Sequence, residues 1–382
     1  MRILFIAPRF HTNQAPIVKL LTSQGHEVSF VVQRIEMSED KNLLDPILCK
    51  PNFLYKIIEN YKCKGKSKVW SEDYRLRHFI PSTRSLFSII RQIDPDVVIY
   101  REPCMFSLIA RLISLLLGVP ELVLYTQSPC VRTENTFKRR LTNSLRKILF
   151  GTKIYSPVYM QNAITSDKLL FSQGVKFIPF VMEFDDQILT RTYCRGEKIN
   201  VVDVGKYRDY KDHFVLIDAL LSLPAEVRSL FSVSIVGQCV KDEEIEYFDK
   251  LQEAIHTGNL TSIVRLHKNV PYHEMRKIYL ENDVFILTSK RELASVAVLE
   301  AMTFGTVCIS TDYNGTASYI NPDYGYLFRA QNPESLKDVL LDLYNKKDLL
   351  SDMGRTTYQY AKENYSQKSY SKGLGSLINR TI

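Results

Sequence analysis

The sequence predicts an α/β protein built as two domains of similar size, each a doubly wound parallel sheet, facing a cleft. Three observations predict it. Short apolar runs alternate with helical stretches from Arg2 to Tyr125, the signature of parallel strands joined by crossover helices. The alternation pauses over the polar stretch Phe180 to Lys198 and restarts at Ile199. The length, 382 residues, suits two or three domains.

In order, Arg2–Ala7 reads as the first strand, Ala15–Gln24 as a helix stopped by Gly25, and His26–Val32 as the second strand. Asp94–Tyr100 introduces another strand, followed by a helix from Pro103 and the strand Glu121–Tyr125. The apolar window Phe106 to Tyr125 is interrupted by Arg111, Gly118, Pro120 and Glu121, so it reads as helix then strand and not as a membrane span. The second run offers strands at Ile199–Gly205, Phe231–Gly237, Ser262–Leu266, Asp283–Thr288 and Thr306–Ser310. The expected boundaries are an N-terminal domain over 1–185, a linker over 186–198 and a C-terminal domain over 199–364.

Composition is that of an ordinary soluble protein, 45% hydrophobic and 24% charged. The seven cysteines are scattered, with no Cys-x-x-Cys pair, so neither a zinc site nor a disulfide framework is indicated. Met1–Ala7 runs directly into strand-like sequence, and the expected location is the cytoplasm. Residues 1–190 hold 26 Lys+Arg and 17 Asp+Glu, a net of +9, while residues 191–382 hold 24 and 25, a net of −1. One basic cluster comprises Lys56, Lys62, Lys64, Lys66 and Lys68. The other includes Lys138, Arg139, Arg140, Arg146 and Lys147, with Phe137, Leu141, Leu145, Ile148 and Leu149 at roughly helical spacing. A basic amphipathic helix there could lie on an anionic membrane face, or bury its apolar stripe in the core. No nucleic-acid partner is expected. A Gly-x-Gly-x-x-Gly fingerprint is absent, since no glycine follows the first strand until Gly25, which argues against a dehydrogenase.

The chemistry concentrates in two strand-to-helix loops of the second half. Glu292 and Glu300 stand eight positions apart, with the strand Asp283–Thr288 before them and a helix closed by Gly305 after. Ligands sit at such carboxyl ends of parallel strands. Ser295 suits a helix N-cap, and the free backbone N–H groups near Ser295 and Val296 would form an anion site. Glu300 lies more than a turn into an apolar helix, where an unpaired carboxylate is costly, so it needs a hydrogen-bonding partner. Upstream, Gly205-Lys-Tyr-Arg-Asp-Tyr-Lys-Asp212 follows a strand and precedes a helix starting near Phe214; Lys206 and Lys211, five apart, can converge on one diphosphate.

The Glu-x7-Glu spacing, with a strand before it and Glu300-Ala-Met-Thr-Phe-Gly305 after it, resembles the motif of retaining GT-B glycosyltransferases of family 4 (glycosyl transferases group 1). Gly25-His-Glu-Val28, Pro95-Asp-Val-Val98, Ile178-Pro179, Tyr324-Gly-Tyr-Leu-Phe328 and Asn332-Pro-Glu-Ser-Leu336 extend the resemblance over nearly the whole chain. The resemblance implies a GT-B fold with two Rossmann-like domains, and a last segment, 365–382, that packs back on the N-terminal domain. It implies that Glu292 contacts the donor sugar's hydroxyls and Glu300 the ribose. It implies that Lys206 and Lys211 grip the diphosphate, with Lys206 standing where the family has Arg, a point charge in place of a bidentate fork. Gly237, where glycine permits close approach, and Val270 in His267–Pro271 would wall the base. His11, Asn13, Arg101, Glu102 and Gln127, at strand ends of the first half, would face the acceptor.

The expected activity is therefore retaining, hexosyl-type transfer from a nucleotide-diphosphate sugar to a glycan or lipid-linked acceptor, in surface polysaccharide or glycoconjugate biosynthesis. No metal or other cofactor is expected, because Lys206, Lys211 and helix amides would neutralise the leaving charge. The expected site is a soluble enzyme, peripheral on the inner face of the cell membrane. Two alternatives stay open: a GT-B nucleotide-sugar epimerase, which needs no acceptor, and a catalytically inactive sugar-nucleotide binding protein.

Overall fold

The computed structural model describes residues 1–10, 14–35, 43–66, 71, 74–75, 78–127, 130–132, 144, 148–158, 169–171, 175–184, 188, 190–292, 294–313 and 315–380. The chain forms two units: Met1–Pro157 with Lys168–Val181 and Gln367–Ile382, and Val158–Asp167 with Met182–Ser366.

The first unit opens with β1 (Arg2–Ala7), α1 (Ala15–Ser23), β2 (Glu27–Val32), β3 (Ile47–Leu48), α2 (Phe53–Cys63), α3 (Thr83–Ile93), β4 (Val97–Arg101), α4 (Met105–Leu116) and β5 (Glu121–Tyr125). It continues with β6 (Cys130–Arg132), β7 (Ile154–Ser156), β8 (Leu169–Phe171) and β9 (Val175–Phe177). Seven strands form one parallel sheet in the order β3-β2-β1-β4-β5-β7-β9, and β6 pairs with β8 antiparallel. The strand β1 is apolar on both faces because both faces are covered. Ile3 and Phe5 join one core with α1, while Leu4 and Ile6 join another with α3 and α4. The terminal helix Gln367–Ile378 completes the first of these cores through Tyr370, Leu374 and Ile378. The Gln24 side-chain amide donates to Ser371 Oγ at 3.1 Å, so this last segment is held within the first unit.

The second unit contains β10 (Ile199–Val204), α5 (His213–Leu221), β11 (Phe231–Gly237), α6 (Asp242–Thr257), β12 (Val264–Lys268), α7 (Tyr272–Glu281), β13 (Val284–Leu287) and α8 (Val296–Thr303). After these come β14 (Val307–Thr311), β15 (Gly325–Phe328), α9 (Pro333–Asn345) and α10 (Leu350–Asn364). Six strands pair in parallel in the order β12-β11-β10-β13-β14-β15. The expected strand Ser262–Leu266 is displaced by two residues to Val264–Lys268. The amides of Ile263 and Val264 both bond back to Leu260 O, closing a turn where the strand was expected to start. The stretch expected as linker is anchored from Arg191 on: Arg191 donates to Phe304 O and Asn282 O, and the Asp283 carboxylate accepts from the backbone of Cys194 and Asn200. These bonds close the amino-terminal edge of the sheet, opposite the edge that carries the site.

Candidate functional site

In both sheets the strand order reverses between the first and fourth strands, β1 with β4 and β10 with β13. Such a switch point opens a crevice at the carboxyl ends of the two strands. In the second unit the loops that leave it are 205–212 and 288–295, the two that the sequence singles out.

Asp203 and Ile286 stand opposite each other in the β10–β13 ladder, and the loops diverge just beyond them. Glycine at 205 lets the Lys211 stem cross the strand end, for an added Cβ would lie 3.0 Å from Lys211 Cδ. Lys211 is thereby buried, and its Nζ lies 2.7 Å from Glu292 Oε2. The Ser289 hydroxyl donates to the same oxygen at 3.0 Å. Lys290 repeats the stitch farther out: its amide bonds Tyr210 O at 2.9 Å and its Nζ lies 2.9 Å from Asp209 Oδ1. The Lys211–Glu292 and Lys290–Asp209 pairs thus stitch the two loops together. Lys206 is exposed at the head of the first loop.

Beneath the pair lies a polar network absent from the sequence reading. His213 Nδ1 is 2.8 Å from Asp203 Oδ2, and the Thr288 hydroxyl lies 2.8 Å from the same oxygen and 2.7 Å from Lys211 O. His213 Nε2 faces Lys206 O at 3.4 Å. All three side chains are buried. The network holds the Lys211 backbone from below through the Thr288 hydroxyl, and buried polar groups must be paired in this way. An aspartate inside the apolar strand Ile199–Val204 is the sequence signal that could have revealed it.

Glu300 has the partners its position demands. The Tyr272 and Tyr279 hydroxyls donate to Oε1 and Oε2 at 3.0 and 2.9 Å. Burial raises its carboxyl above the usual range, with both tyrosine hydroxyls pulling the other way. Ser295 caps α8, its Oγ accepting from Val298 N at 3.4 Å. The Ser295 amide, expected to be open to an anion, instead donates to Thr316 Oγ1 at 3.0 Å. The anion site expected at the helix start is therefore reduced by that amide, leaving the neighbourhood of Val296.

Gly237 also departs from expectation. An added Cβ would lie 2.1 Å from Gly205 O and 3.0 Å from the Tyr207 ring. The close approach that requires glycine is made by the chain itself. Tyr207 is fully buried there, its hydroxyl 2.9 Å from both Ile235 O and His267 O. Asn269 ties the loops after β11 and β12 through both backbone groups of Cys239, and Val270 follows it, half-buried.

In the first unit the structure brings three of the predicted residues together at the other switch point. Arg101, at the end of β4, bonds the side-chain oxygens of Gln127 at 3.2 Å and Gln14 at 3.4 Å. Glu102 has a left-handed backbone (φ 60°). Its carboxylate is committed to Thr126 Oγ1 at 2.8 Å and Gln127 N at 2.6 Å. Glu102 is thus a loop-shaping group. The cavity under Arg101, lined in part by Gln14, Tyr125 and Tyr155, measures about 10 Å³, room for about one water. His11 and Asn13 lie outside the described residues, as do Lys138, Arg139, Arg140, Arg146 and Lys147.

The family model described as Glycosyl transferases group 1 matches residues 191–360. An uncharacterized glycosyltransferase, MJ1069, of Methanocaldococcus jannaschii is 26% identical over 271 residues, 67% of each chain. The solved structure of a glycosyltransferase from Rickettsia africae superposes with TM-score 0.73 at 16% identity, covering 99% of this chain and 98% of that one. Anabaena Alr3699/HepE, solved with UDP and glucose, superposes with TM-score 0.69 at 11% identity and 99% coverage of both chains. The two-sheet α/β architecture is that of GT-B glycosyltransferases, and these likenesses support a glycosyltransferase.

Proposed function

We propose that this chain transfers a sugar, with retention of configuration and without a metal ion, from a nucleotide-diphosphate sugar to a glycan or lipid-linked acceptor. The observation that carries the reading is the Lys211–Glu292 pair at the β10–β13 switch point, with Glu300 one loop and one turn farther on. In this reading Glu292 orients the donor sugar and Glu300 holds the ribose. Lys211 and Lys206 take up the charge that grows on the diphosphate as the glycosidic bond breaks. Lys211 has three donors and spends one on Glu292, so it can couple the sugar and the leaving group. The solved relative holding UDP and glucose supports a nucleotide-sugar donor. The two partners of the Glu292 carboxylate, Lys211 Nζ and the Ser289 hydroxyl, support an orienting role over that of a solvated loop residue.

Membership of family 4, hexosyl transfer and a place in polysaccharide or glycoconjugate biosynthesis rest on the sequence resemblance, whereas a cytoplasmic location rests on the scattered cysteines and a peripheral place at the membrane on the basic stretch around 138–147. Arg101 and Gln127 are the acceptor-side candidates that the fold brings together. The test is incubation with UDP-, GDP- and ADP-sugars, following donor hydrolysis and the anomer of the released sugar by NMR. Slow hydrolysis giving the donor's own anomer supports retention. A changed sugar would identify an epimerase, and nucleotide binding with no turnover an inactive binder.

A further inference from the structure

The helix α2 is laid on the first unit the wrong way round for a soluble protein. Phe53, Leu54, Ile57, Ile58 and Tyr61 are 74, 67, 53, 47 and 77% exposed. At about 100° per residue these five share one arc of about 140°. The opposite side carries Tyr55, which packs edge-on against Phe79 at 5.7 Å between ring centres, and Glu59, paired with Arg75. Lys62 borders the apolar arc on one side and Lys56 on the other. Lys50 precedes the helix, and Lys64 and Lys66 follow it. Over residues 50–66 this leaves five lysines and one acidic residue, Glu59, which is turned inward. The helix start is fixed: Asn52 Oδ1 accepts from Leu54 N at 2.9 Å, and Asn52 N donates to Ile80 O at 2.8 Å.

An apolar arc of this size on a surface helix marks a binding face. A second copy of the chain would bring the same lysines against these, and like charges would meet at the rim. An anionic bilayer offers a negative headgroup layer for the lysines and an acyl boundary for the aromatic and aliphatic residues, and a helix of this pattern lies in that interface. We propose that α2 docks the protein on anionic lipid, with Phe53, Leu54, Ile57, Ile58 and Tyr61 entering the headgroup–acyl boundary and the lysines meeting the headgroups. This surface is distinct from the segment around 138–147, and the proposal does not depend on the glycosyltransferase reading.

The experiment is co-sedimentation of the full chain with phosphatidylcholine vesicles, with and without phosphatidylglycerol, over a salt series. The Ile57→Ser/Tyr61→Ser and Lys62→Glu/Lys64→Glu variants are run beside the wild type. All the substituted side chains face solvent, so the thermal midpoint and the far-ultraviolet circular dichroism spectrum serve as folding controls. The expected result is wild-type binding to the phosphatidylglycerol vesicles that falls with salt, and a loss of roughly tenfold or more in partitioning for each double variant. Three results would overturn the proposal. The wild type could ignore anionic vesicles at low salt. The Ile57→Ser/Tyr61→Ser variant could bind like the wild type, which would place any lipid contact elsewhere. Or the wild type could be a dimer in solution that this variant dissolves, which would make a second copy the occupant.

Discussion

Replacing Lys211 by methionine tests whether the pair at the switch point is structural, functional or both. Methionine keeps an unbranched stem to cross Gly205, so packing changes little while the charge is lost. The gross attraction across 2.7 Å is about 6 kcal/mol at an effective dielectric near 20, and desolvation cancels most of it. The pair is less than a quarter exposed on either side. Lys211→Met then strands Glu292 on the Ser289 hydroxyl alone, at a cost of about 2–4 kcal/mol in urea unfolding, somewhat below that of a fully buried pair. Glu292→Gln keeps shape and one acceptor, and the double variant should recover part of the loss, giving a coupling of about 1–3 kcal/mol. Kinetically, Lys211→Met should cut donor turnover by about 10²–10³. Its effect on UDP affinity by calorimetry should be smaller, because the charge it meets develops mainly in the transition state. Equal losses in affinity and turnover would reduce Lys211 to ground-state binding. A coupling below about 0.5 kcal/mol would show that the 2.7 Å contact does not link the two residues energetically.

Four further outcomes follow from the same geometry. Glu300→Ala should weaken UDP binding by about 1.5–3 kcal/mol for each charge-assisted hydrogen bond lost, and unchanged calorimetric affinity in a folded variant would remove the ribose assignment. Burial raises the Glu300 carboxyl in the folded state, so its contribution to stability is fully present at acid pH and is lost as pH rises through the folded value; the stability of wild type relative to Glu300→Gln should therefore improve as pH falls through the carboxylate range, and a difference independent of pH would contradict this. Gly237→Ala should destabilise the second unit by about 1–3 kcal/mol, because the new Cβ would lie 2.1 Å from Gly205 O; an unaltered urea midpoint would mean that β11 shifts freely. His213→Ala should leave Asp203 with Thr288 as its remaining side-chain partner and cost about 1–3 kcal/mol, read by the same unfolding assay.

Much of the fold was legible because its signals are local. Apolar strand runs, Gly25 after α1 and the polar loops after β10 and β13 all stand in the sequence at the spacing at which they fold. Glu300's need for partners followed from burial alone, although the identity of Tyr272 and Tyr279 did not, since nothing local pairs α7 with α8. The Asp203–His213–Thr288 network depends on β13 lying beside β10, eighty-odd residues apart in the chain, and a histidine after Lys211-Asp212 reads as surface. At Gly237 the sequence correctly signals close approach but carries no mark of what approaches. At Ser295 it marks the cap and cannot show that Thr316, two elements later, occupies the amide.

The helix α2 marks a different limit. An apolar arc at helical spacing is ordinarily the buried face, because burial is what stabilises a short helix. Here a single large side chain, Tyr55, is buried, and the arc that should be core faces outward. Sequence periodicity gives the width of an apolar stripe but not its direction; direction comes from what the flanking chain can reach. Asn52 and Pro51, bridged to Ile80 and Pro81, fix the entry angle, and that angle turns Tyr55 toward Phe79. The apolar stripe is exposed among the described residues, and its lysine border favours a negatively charged partner over a second positive one.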